Sequence, residues 1–178
     1  MKIRPLPIVL TAVITAALLV GGWFLYRNEA DLKPLDRIAT STPGVIDAKP
    51  VIGRSSVTLD LTLNRDANLR NVYDTIATEG DDIIGSKELK LNITESEASG
   101  KLEDVWASML FEVAQAMDHR SYADIPKAMQ EAQSKYPGIQ ASSEMDDTNV
   151  YITLKDDKAV KYVVLPRASN TIGVWPNA

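Results

Sequence analysis

The chain opens with its longest apolar run. Residues 8–26, IVLTAVITAALLVGGWFLY, hold no charged side chain over 19 positions, with Lys2 and Arg4 ahead of them and Arg27 behind. At about 1.5 Å rise per residue such a helix covers roughly the 30 Å of bilayer hydrocarbon, whereas the apolar part of a cleavable signal peptide is usually about 7–15 residues. The pattern therefore predicts a single transmembrane helix. No A-x-A arrangement of small residues follows it; Trp23, Phe24, Tyr26 and Arg27 compose an interfacial aromatic belt with a charged stop, which predicts an uncleaved signal-anchor. The short tail before the span places the N-terminus in the cytoplasm and residues 27–178 outside. Lys2 and Arg4 nearly balance Arg27, Lys33 and Arg37, so a cytoplasmic domain stays open as the alternative.

Beyond the anchor the periodicity alternates between helix and strand. Asp31 can cap a short helix through about Ser41, with Leu35, Ile38 and Ala39 on one face, and Thr42-Pro43-Gly44 ends it. Residues 45–52 read as a strand. Val57, Leu59, Leu61 and Leu63 alternate with Thr58, Asp60 and Thr62, the period of a half-buried strand, and Gly53-Arg54-Ser55 makes the hairpin between the two. Asp66 or Asn68 opens a helix carrying Leu69, Val72, Tyr73, Ile76 and Ala77, which Gly80 ends. Leu89, Leu91 and Ile93 form a third strand, giving an αββαβ lobe over residues 28–95.

A polar joint, ESEASG, leads from Glu95 into the second lobe, residues 96–165. Its first helix carries Leu102, Val105, Trp106, Met109, Leu110, Val113, Ala114 and Met117 as an apolar stripe. A second helix over residues 124–136 points Ile125, Ala128, Met129 and Ala132 inward and stops at Pro137-Gly138. Strands follow over residues 139–145, 150–154 and 159–165, so this lobe reads ααβββ, and residues 166–178 read as a loose tail. The fold class is thus α+β, an N-terminal membrane helix followed by two small two-layer lobes with antiparallel-rich sheets. Pro43-Gly44-Val45 and Pro137-Gly138-Ile139 repeat one device, a helix stop that turns the chain into antiparallel strands.

Composition fits a folded body, with 45% hydrophobic and 24% charged residues. With Lys2 and Arg4 set aside, the chain beyond residue 26 carries 17 Lys plus Arg against 24 Asp plus Glu, a net charge of −7. That sign argues against nucleic acid or anionic lipid as the main ligand. Cysteine is absent, which removes disulfides, thiolate catalysis, Cys-ligated metals and lipidation at a signal junction, and fits an exported bacterial domain.

The αββαβ order of residues 32–95, with the Pro43-Gly44-Val45 turn, Ala48 three positions on and the alternating strand that follows, resembles the ring-building motifs of membrane-anchored bacterial sporulation and secretion proteins, and the BON domain in style. The resemblance implies a non-catalytic domain that packs side by side with copies or partners. The ααβββ order of the second lobe departs from that pattern.

Candidate chemistry is sparse. His119, the one histidine, ends the Trp106 helix, where a cation complements the exposed carbonyls. The acidic pairs Asp81-Asp82, Glu95/Glu97, Asp146-Asp147 and Asp156-Asp157 lack calcium-loop spacing and sit where turns or caps are wanted. Asn92-Ile93-Thr94 satisfies the glycosylation sequon inside a strand; Trp106 belongs to the core stripe; Trp175 is the candidate for an exposed aromatic contact; and Tyr122 and Tyr136 flank the second helix with wet hydroxyls. No residue is assigned to catalysis, to a cofactor or to a metal. The expected role is a non-catalytic binding or assembly component of a bacterial cell envelope, meeting the membrane through residues 8–26 and an envelope protein or its own copies through the lobes. A carboxylate-dependent envelope hydrolase and a ligand-binding sensor domain are the alternatives.

Overall fold

The alternation of Val57, Leu59, Leu61 and Leu63 builds the first sheet. In the computed structural model, which describes residues 5–27, 32–94 and 100–167, β1 (Val45–Ile52) and β2 (Ser56–Leu63) form an antiparallel hairpin pairing Ile52 with Val57. Gly53 N–H donates to Ser56 O at 2.8 Å across the turn. All four alternating side chains of β2 are buried. Two helices cover that face: α2 (Lys33–Ser41), through Leu35 and Ala39, and α3 (Leu69–Glu79), through Leu69, Val72 and Ile76. Of the two residues that could open α3, Asn68 does so: its Oδ1 accepts the Asn71 N–H at 2.8 Å, satisfying one of the unpaired amides of the first turn.

Because α3 carries the chain back across the sheet, β3 (Glu88–Thr94) runs parallel to β2, so the first sheet is mixed, while the other three strand pairings among the described residues are antiparallel. The connection Asp81-Asp82, read as a polar turn, forms a one-turn helix, α4 (Asp81–Ile84). Its two acidic groups favour the positive end of the turn, and Ile84 is buried.

In the second lobe, α5 (Gly100–Asp118) and α6 (Ile125–Lys135), joined through a short 3₁₀ turn at Tyr122–Asp124, lie on one face of an antiparallel meander. Its strands are β4 (Gln140–Met145), β5 (Asn149–Lys155) and β6 (Val160–Pro166). Leu102, Val105, Met109, Val113, Ile125 and Met129 meet Val150, Ile152 and Leu154 in one core. The opposite face of this sheet does not face water. Tyr151, Val160 and Tyr162 join the core of the first lobe, so the second sheet is covered on both faces and the two lobes are packed together.

The N-terminal helix, α1 (Pro5–Arg27), forms, yet the membrane anchor is not supported: among the described residues, no helix is long and apolar enough to cross a membrane. The single-pass topology, the cell-membrane localisation with an extracytoplasmic domain, and the membrane as a partner through residues 8–26 lose their basis with it. Residues 11–23 are exposed and belong to neither core. The expected Asp31 cap, the joint at residues 95–99 with Glu95 and Glu97, and the tail at residues 168–178 with Trp175 lie outside the described residues.

Candidate interaction surface

The seam between the lobes gathers most of the long-range polar contacts. Tyr162, rooted in β6, brings its hydroxyl to 2.9 Å from Asn64 O, 3.2 Å from Arg65 O and 3.1 Å from Ala67 O, where one proton serves three carbonyls. Burial pushes this phenol up to about 12. In the reverse direction, Arg65 donates to Asp157 O at 2.6 Å and to Asp156 O. Tyr73 and Tyr151 pack with ring centroids 5.8 Å apart, and the Tyr151 hydroxyl donates to Asp146 Oδ2 at 2.5 Å. Burial, aided by that carboxylate, raises the Tyr151 phenol. The same burial acts to raise Asp146, but the bonds from Tyr151, Asn149 and Thr148 outweigh it and hold the carboxyl below its ordinary value.

Beside the seam lies a cleft of about 200 Å³ lined by Asp66, Asn68, Arg70, Ser142, Glu144 and Lys155. A hydrolase built between the lobes would need its carboxylates here. Asp66 pairs with Lys155 at 3.6 Å, and Glu144 accepts from Asn68 Nδ2 at 3.2 Å, so the two carboxylates of the cleft are engaged in holding one lobe to the other.

Two of the acidic pairs read from the sequence serve turns through their first members. Asp146 Oδ1 accepts Thr148 N–H at 2.6 Å and Asn149 N–H at 2.7 Å, and Asp156 Oδ1 accepts Lys158 and Ala159 N–H at 2.7 Å each. His119 is exposed, 3.8 Å from Asp118, in a groove that also takes in Ser121, Asp124, Lys127 and Glu131. Asp124 there is bound to Lys127 at 2.6 Å, and that hydrogen bond and charge lower its carboxyl. Asn92, the sequon residue, donates to Asp60 Oδ1 at 2.8 Å on the neighbouring strand. Tyr122 lies under the Arg167 guanidinium, 4.7 Å from ring centroid to Cζ, and Lys135 Nζ sits 5.3 Å from the Tyr136 ring. Trp106 is partly buried against the second core. These residues are scattered over both lobes and do not converge on a common point.

The surface that sequence reading missed is on α5. Leu102, Val105, Met109, Val113 and Ala116 face the core, with Trp106 and Met117 at its edge. Leu110 and Ala114, assigned to the inward stripe from the sequence, are exposed instead. Together with Ala107 and Phe111 they follow the i, i+3, i+4, i+7 spacing of a second apolar face. Phe111 is 82% exposed and Leu110 41%. The signal was present: apolar residues on α5 cover more of the circumference than one core-facing stripe of roughly 100° can absorb.

The chain matches no family model, no curated protein and no solved structure.

Proposed function

We propose that this chain is a non-catalytic binding or assembly component, and that the outward face of α5 is the surface through which it binds. The observation that carries the reading is Phe111, 82% exposed at the centre of a face completed by Ala107, Leu110 and Ala114. Burying a side chain of this size is worth roughly 1.5–3 kcal/mol, and contiguous apolar surface of this kind marks interaction sites. Asp146 and Asp156 work in turns, and Asp66 and Glu144 in the seam, which supports the same reading.

A photo-crosslinking residue placed at position 107 or 114 of the full chain tests it in cells. Adducts that form at those positions, vanish with Phe111→Ser and are absent from position 87 in the other lobe are expected. Equal adduct yields at all three positions would overturn the proposal.

A further inference from the structure

Resting on that reading of α5, we infer that its partner is a basic amphipathic helix. The face is framed by acids: Glu103 and Asp104 stand one turn before Ala107, Asp118 one turn after Ala114, and Glu112 on its flank. Glu103 is bound to Lys161 at 2.7 Å, and Asp118, exposed, has the His119 ring 3.8 Å away, so Asp104 and Glu112 together with Asp118 set the outward charge. The one cation in the helix, Lys101, donates to Pro137 O at 3.2 Å, toward the rest of its own lobe. An apolar strip closed at both ends by carboxylates is complementary to an apolar stripe with Lys or Arg about one turn beyond each end. Ala107 and Ala114 on either side of Leu110 and Phe111 leave room for a helix backbone to approach to about 8–10 Å. A second copy of α5 fits poorly. Antiparallel pairing sets Asp104 against Asp118 and parallel pairing sets Asp104 against its own equivalent, like charges in both cases.

The test uses the full chain with the photo-crosslinking residue at 114 and three synthetic helical peptides of about four turns. The first has a Leu stripe with Lys at both ends, the second has Glu in place of Lys, and the third has Lys ends with Ser in place of Leu. Crosslinking is expected to the Lys-ended Leu peptide, to weaken with salt, and to be lost with Phe111→Ser. The double variant Asp104→Lys with Asp118→Lys is expected to weaken the Lys-ended peptide about two- to fivefold for each ion pair removed and to gain the Glu-ended one. A chain that takes both Leu peptides equally overturns the basic partner and leaves the α5 face standing as a binding surface. A chain that crosslinks to itself in a Phe111-dependent manner makes the occupant a second copy and overturns the basic partner. A chain that takes no peptide at all, with thermal melting unchanged by the substitutions, overturns the basic helix while the crosslinking in cells decides the face itself.

Discussion

Replacing Tyr162 by Phe removes one oxygen from the seam and leaves the ring where it packs, in the core that Tyr162 and Tyr151 share with the first lobe. The hydroxyl lies within hydrogen-bond distance of three carbonyls, of Asn64, Arg65 and Ala67, but has a single proton to give. Losing a buried hydrogen bond while leaving its acceptor in place costs about 1–3 kcal/mol. Asn64 and Arg65 are exposed, so water can reach their carbonyls, whereas Ala67 is buried; the expected loss is therefore toward the lower part of that range, about 1–2 kcal/mol. For a chain of this size each kcal/mol moves the melting temperature by about 2–4 °C, so a drop of roughly 2–8 °C is expected.

The assay is urea and thermal unfolding of the full chain, followed by far-ultraviolet dichroism and by tryptophan fluorescence, in which Trp106 reports on the second core. Because the second sheet is covered by helices on one face and by the first lobe on the other, both probes are expected to report a single transition. The pH arm has a definite sign. A phenol raised to about 12 in the fold, against about 10 unfolded, contributes stability that is complete below about pH 10 and is lost as pH rises toward 12. Tyr162→Phe is expected to shallow the alkaline limb without abolishing it, since Tyr151, also raised, remains. A change within the roughly 0.5 kcal/mol typical of surface substitutions, or lobes that melt separately in the unaltered chain, would refute the reasoning.

Three further outcomes are expected. Gly44 and Gly138 both hold positive φ, 97° and 82°, but an added Cβ at Gly44 would come 2.8 Å from Ala67 Cβ, while at Gly138 it meets nothing nearer than Lys101 Nζ at 3.8 Å. Gly138→Ala should therefore cost only the left-handed backbone penalty of about 1–2 kcal/mol and Gly44→Ala clearly more, measured by chemical denaturation; equal losses would contradict this. Asp146, lowered in the fold, gives stability that is present above the unfolded value of about 3.9 and lost as pH falls through its lower native value, so Asp146→Asn should flatten the acid limb of a melting-temperature profile, and an unaltered limb would count against the assignment. Asn68→Ala should lose about 0.5–2 kcal/mol through the α3 cap, and Asn68→Ser, which keeps a cap acceptor without setting a second carboxylate against Glu144, should recover most of that loss.

Much of the architecture is legible because its signals are local. The alternation in β2 places Val57, Leu59, Leu61 and Leu63 on one face in any context that covers that face, and the Pro-Gly stops at Pro43-Gly44 and Pro137-Gly138 act through backbone conformations that the turn itself requires. What escaped is non-local. The parallel pairing of β3 with β2 depends on the path of α3 across the sheet, and nothing in the residues of β3 states which neighbour it will meet. Tyr151 and Tyr162 lie at β-strand positions whose alternation marks them as the second face of a sheet, but only the docking of the first lobe turns that face into core. The same ambiguity governs α5. From sequence, Leu110 and Ala114 join Leu102, Val105 and Met109 in one broad stripe, because 3.6-residue spacing shows that apolar residues share a helix and not how many neighbours are present to cover them. The sheet beneath α5 accommodates only the Leu102–Met109–Val113 side, and Phe111 is left to water. Stability does not require an aromatic ring there: Phe111→Ser should leave the melting temperature nearly unchanged, as surface substitutions do. A side chain that the fold does not use, set among small residues and ringed by carboxylates, finds its physical rationale in an encounter with another surface, and that is why binding at α5 and not stability is the property its substitution should alter.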